Sequence, residues 1–70
     1  MITYETIRGS QPTRFKYRQL SQGRPTGVIV HRNGQTLWVT GPVESPQQRF
    51  NNWRDASRCA SGLARAYSIS

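Results

Sequence analysis

The sequence predicts an α+β domain in which a three-stranded antiparallel sheet is followed by one C-terminal helix packed on one of its faces, a β-β-β-α order. Three observations carry this. Residues 13–20 alternate, with Phe15 and Tyr17 on one side and Arg14, Lys16 and Arg18 on the other, and a period of two belongs to a half-buried strand. Asn33-Gly34 separates two β-prone runs, 27–32 and 35–40. An Asn-Gly pair in that setting signals a hairpin, because a type I′ turn needs positive φ at both central positions. Finally, Trp53, Ala56, Ala60, Leu63, Ala64 and Tyr67 recur at helical spacing and form an apolar stripe.

The elements follow in order. Residues 1–12 are mixed. Ile2, Tyr4 and Ile7 have the makings of a short edge strand, but Gly9-Ser10-Gln11-Pro12 interrupts it, and the segment reads as a loose N-terminal arm to a domain over 13–67. Residues 21–26, Ser-Gln-Gly-Arg-Pro-Thr, carry turn chemistry and read as a loop. A two-residue Asn33-Gly34 loop sets Arg32 opposite Gln35, Val30 opposite Leu37 and Val28 opposite Val39. Val28, Val30, Leu37 and Val39 then share a core face, while Ile29, His31, Thr36 and Trp38 share the other. Gly41-Pro42 stops the strand. Ser45-Pro46, with Gln48 closing a capping box, suits a helical turn. A single helix from there to Tyr67 would turn Arg49 into the core, so a break is expected at Asn51-Asn52. Asn52 then caps the helix and Asp55 sits in its first turn, where a carboxylate favours the dipole. Gly62 costs the helix about 1 kcal/mol relative to alanine, and residues 68–70 are expected to fray.

Charge points to function. Ten basic residues, nine of them arginine, face three acids (Glu5, Glu44 and Asp55), for a net charge of +7 on 70 residues. Arginine is the better phosphate ligand because its planar fork donates two parallel hydrogen bonds. So much charge on so small a body suits a polyanionic partner. A chain of this length buries only about 60% of the surface its unfolded form exposes, which leaves little room for a closed catalytic cleft. No carboxylate pair, metal-ligand spacing or glycine-rich phosphate loop is present in the sequence. The lone His31 and lone Cys59 are far apart, and Cys59 reads as a small buried hydrophobe. The expectation is a non-enzymatic binding protein with no cofactor and no metal. The first ten residues hold no apolar run of signal-peptide length, and no segment nears the roughly 18 apolar residues of a membrane span. A soluble, cytoplasmic protein without a membrane partner is expected, as a monomer or a small homo-oligomer built on an edge strand.

The candidate contact residues are Arg14, Lys16 and Arg18 along one strand face, joined by His31 and Trp38, with Arg24 and Arg32 at the hairpin ends. Cations at alternate strand positions stand roughly 7 Å apart, close to the separation of phosphates along a nucleic-acid strand. A tryptophan among cations stacks on a base or a guanidinium. Arg54, Arg58 and Arg65 fall within about 40° of one another on a helical wheel and form a second basic face opposite the apolar stripe. In a two-layer fold the two faces point apart, so one duplex cannot easily touch both.

The layout of Tyr17-Arg18, the Asn33-Gly34 hairpin, Leu37-Trp38-Val39 and the alanine-rich helix resembles, over residues 13–67, the arm-binding domains of phage integrases and the plant AP2 type. Both lay a three-stranded sheet in the DNA major groove, so the resemblance implies DNA as the partner. The stacking and phosphate contacts expected of the sheet would serve RNA as well. The same layout also occurs in small phage-encoded proteins that bind and block host machinery. The alternative expectation is therefore a phage-type inhibitor or adaptor that docks on a protein with an acidic surface.

Overall fold

The computed structural model describes residues 1–9, 13–42 and 48–68. It is an α+β fold with an antiparallel sheet and one C-terminal helix, as the periodicities predict, but the sheet has five strands among the described residues. These are β1 (Ile2–Thr6), β2 (Arg14–Ser21), β3 (Arg24–Asn33), β4 (Thr36–Thr40) and β5 (Arg49–Phe50), followed by α1 (Trp53–Ser68). The strands lie in sequence order, β1-β2-β3-β4-β5, as a meander.

Two of the five strands lie outside the expected three. Residues 2–6 are not a loose arm. They pair with β2 from Ile2 opposite Ser21 to Thr6 opposite Tyr17, and the Gln22 N–H donates to the Met1 carbonyl at 3.1 Å. Ile-Thr-Tyr-Glu-Thr is rich in residues that favour a pleated backbone. As an edge strand, however, it buries little: Tyr4 alone is half-buried and the other four residues are exposed. Ile2, Tyr4 and Thr6 share the helix side by register, but with one of them half-buried the alternation is faint. Arg49 and Phe50 likewise extend β4 by pairing with Trp38 and Leu37. The proposed turn at Ser45-Pro46 and the tail at 69–70 lie outside the described residues.

The 21–26 loop is also corrected. Gln22 and Gly23, both at positive φ, close a tight turn, and the chain re-enters the sheet at Arg24. Pro25 and Gly27 are accommodated by an irregularity. Arg18 faces Ile29 but Leu20 faces Pro25, so three residues of β3 oppose Gln19 alone. Gly27 sits there at φ 85, and a Cβ on it would lie 2.8 Å from the Pro42 side chain. A bulge is where a sheet tolerates both proline and such a backbone.

The β3–β4 register differs from expectation by two residues. Asn33 pairs with Thr36, His31 with Trp38 and Val30 with Val39. The loop is therefore Gly34-Gln35, and only Gly34 has positive φ. Glycine alone at the first central position is the signature of a type II′ turn. A shift of two preserves the parity of each strand, so the predicted faces survive it.

The core lies between the sheet and α1. Val28, Val30, Leu37 and Val39 meet Ala56 and Ala60, with Tyr4, Tyr17, Phe50, Cys59, Leu63 and Ala64 around them. The small Ala56 and Ala60, one turn apart and both fully buried, let the helix lie close to the sheet. Asn52 caps it as predicted: its Oδ1 accepts from the Asp55 N–H at 2.8 Å, and its Nδ2 donates to Asp55 Oδ2 at 3.0 Å. Trp53 departs from the predicted core. It is 40% exposed at the start of α1, standing edge-on against Tyr4 and Tyr17 at centroid distances of 5.0 and 4.9 Å.

Candidate functional site

The helix covers one face of the sheet and leaves the other open. Every buried sheet residue (Gln19, Val28, Val30, Leu37 and Val39) is on the helix side, and no described residue of the opposite face is buried. Cross-strand pairing organises that open face into rows. Lys16 faces His31, His31 faces Trp38 and Trp38 faces Arg49, a single row across β2, β3, β4 and β5. The next row runs Glu5, Arg18, Ile29 and Thr40. Arg14 stands at the end of β2 opposite Asn33.

The centre of the row is a ring stack. The His31 imidazole and the Trp38 indole are parallel, with an interplanar angle of 0° and centroids 5.2 Å apart. His31 Nε2 hydrogen-bonds Thr40 Oγ1 at 2.8 Å, which holds the imidazole in place. Partial burial, reinforced by the Lys16 charge opposite, lowers the His31 pKa below its usual 6.5. The imidazole is therefore neutral at pH 7 and free to stack without adding repulsion. A shallow cleft of about 290 Å³ adjoins the stack, lined by Arg14, Lys16, His31, Arg32, Asn33 and Trp38 together with the Phe15 ring.

The predicted contact residues are thus brought together in part. Arg14, Lys16, Arg18, His31 and Trp38 share the open face. Arg18 is committed there, since its Nη1 donates to Glu5 Oε1 at 2.9 Å. Arg32 belongs by register to the helix side, opposite Phe15 and Leu37. Its Nε donates to the Gly34 carbonyl at 2.9 Å, which ties its guanidinium to the turn at the rim of the cleft. Arg24 lies apart from the group, seven residues along β3 from His31, which is on the order of 20 Å. It lines a separate cleft with Ser61, Arg65 and Tyr67 near the end of α1. Arg65 lines this cleft together with Arg24, and Arg54, Arg58 and Arg65 are all exposed on α1.

Arg49 is the functional candidate that the sequence reading missed. It becomes visible only through the pairing of β5, and a two-residue strand carries no periodicity of its own. Glu5 was hidden in the same way by the edge strand. The two acids in the described residues are both engaged, Glu5 with Arg18 and Asp55 with the helix cap.

Among the described residues no group of three His, Cys, Asp or Glu side chains is placed to hold a metal ion. No helix among the described residues is long and apolar enough to cross a membrane. Cys59 is half-buried and unbridged against the core. No protein-family model matches the chain, and neither a curated protein nor a solved structure matches it significantly.

Proposed function

We propose that this protein is a small non-enzymatic nucleic-acid-binding domain that holds its partner, DNA first, on the open face of the sheet. One observation carries the reading: cations and a ring stack lie in a single cross-strand row, Lys16-His31-Trp38-Arg49, on a face that no described element covers. Lys16, Arg49 and neighbouring Arg14 supply charge for phosphates, while the rings supply a flat apolar surface for bases. Three cations, with Arg18 as a fourth if it leaves Glu5, set the salt dependence. Affinity for a mixed-sequence DNA oligonucleotide should fall with a log–log slope near −3. Anisotropy titrations between low and physiological salt measure it. Failure to bind at low salt, or affinity that salt leaves unchanged, overturns the reading.

A different observation supports a second reading, docking on a protein. Trp53 is an exposed aromatic braced by Tyr4 and Tyr17. It lines a cleft of about 330 Å³ with Arg32, Asn51 and Asn52. Tryptophan with arginine beside it is the composition of interface anchors. The two readings use different tryptophans, so the binding defects of Trp38→Ala and Trp53→Ala separate them.

A further inference from the structure

We infer that the polymer this face accepts is single-stranded, with an unpaired base stacked at Trp38 and the chain crossing β2 to β5 along the Lys16–Arg49 row. The inference rests on the nucleic-acid reading above and narrows it. The first argument is width. Four gaps of about 4.8 Å make a five-stranded sheet about 19 Å across, whereas the B-DNA major groove is about 12 Å wide and takes a helix or a two-stranded ribbon. A three-stranded sheet was the expectation that suited a groove. The addition of β1 and β5 on its two sides makes a platform instead.

The second argument is the chemistry of the row. Inside a duplex both faces of a base are occupied by its neighbours, so an aromatic platform can engage a base only once it is unstacked. His31 lies against one side of the Trp38 indole, and the pair is rigid because Thr40 holds the imidazole. On the β5 side, Trp38 pairs with Arg49. Three strand gaps separate Lys16 from Arg49, about 14 Å at the backbone, which spans roughly two to three nucleotides with a phosphate within reach of a cation at each end. The cleft next to the stack adds Asn33, whose side-chain amide both donates and accepts hydrogen bonds and so suits a base edge.

Electrostatics alone would favour the opposite preference. A duplex carries one charge per about 1.7 Å, more densely than a single strand, so a merely basic surface binds the duplex more tightly. The test uses the Trp53→Phe variant, in which Trp38 is the only tryptophan left of the two. It is titrated with a single-stranded DNA of about 12 nucleotides and with the duplex of the same sequence. The expected result is tenfold or tighter binding of the single strand, with quenching of Trp38 emission. Adding Trp38→Leu should cost the single strand about tenfold and the duplex several-fold less, and Trp38→Phe should recover most of the single-strand loss because it restores a ring. Equal or tighter duplex binding, or an unmoved Trp38 emission, overturns the single-strand inference and leaves the nucleic-acid reading standing. Failure of both polymers to bind at low salt removes both.

Discussion

The two faces of the sheet are built from the same strands, one residue out of step, and they have opposite characters. The helix side carries Val28, Val30, Leu37 and Val39 and is closed by Ala56 and Ala60. Its one fully buried polar side chain, Gln19, is satisfied throughout. Nε2 donates to Tyr4 Oη at 3.2 Å and to Ser61 Oγ at 3.3 Å, and Oε1 accepts from Thr26 Oγ1 at 3.0 Å. The open side carries Lys16, Arg18, His31, Trp38 and Arg49. Its polar groups are half in solvent, and the Arg18–Glu5 ion pair on it is exposed, a setting in which such a pair is worth about 0–1 kcal/mol. The covered face therefore spends its residues on stability. The open face holds rings and charges of which none among the described residues is fully buried.

The largest break in this comparison comes from adjacent residues on opposite faces. Val30→Asp puts a carboxylate at a fully buried position in the hydrophobic core. The cost exceeds what a small domain, stable by about 5 kcal/mol at the low end, can absorb. Circular dichroism should show an unfolded chain. His31→Asp, one residue away, should keep its cooperative melt and lose nucleic-acid affinity. If both variants melt alike, the division of the faces is wrong.

Gln19→Ala sharpens the covered side. It removes three hydrogen bonds from the half-buried Tyr4, Ser61 and Thr26 hydroxyls and empties a fully buried position, a loss of about 2–3 kcal/mol. Chemical denaturation checks it. A change below 1 kcal/mol would mean that water replaces the amide. Trp53 and Trp38 come next. At 40% exposure Trp53 does not bear the full burial of a core tryptophan, so Trp53→Ala should cost about 1–2 kcal/mol instead of the roughly 3–5 of a buried ring. Trp38→Ala should cost less and show its effect in binding. Paired thermal melts decide the order, and a larger loss at Trp38 would make the open face part of the core.

The smallest effect belongs to the single histidine. The folded state lowers the pKa of His31 below 6.5, first by burial and then by Lys16. Its contribution to stability is therefore complete above pH 6.5 and is lost as pH falls through the lowered folded value, because the unfolded chain takes up the proton first. A bound polyanion works in the other direction. It favours the imidazolium, so binding should strengthen as pH falls through the same range, and the His31 titration followed by NMR should move to higher pH in the complex. A titration that stays in place on binding would remove His31 from the contact surface.

The side-chain order by itself determined which residues face the helix and which face away. Alternation along 14–18, 28–32 and 36–39 is a property of each strand alone, and it survived a β3–β4 register two residues from the expected one because an even shift preserves parity. The cap at Asn52 and the Ala56–Ala60 contact of α1 were legible for the same local reason. Only the tertiary structure decided that Ile2–Thr6 and Arg49–Phe50 are strands, that Gln19 is buried, and that Arg49 completes a row begun by Lys16. Each of these depends on pairing between residues distant in the chain. An edge strand with one half-buried side chain, or a strand of two residues, has too few contacts of its own to leave a strong periodic mark, so its place is set by the neighbour it pairs with.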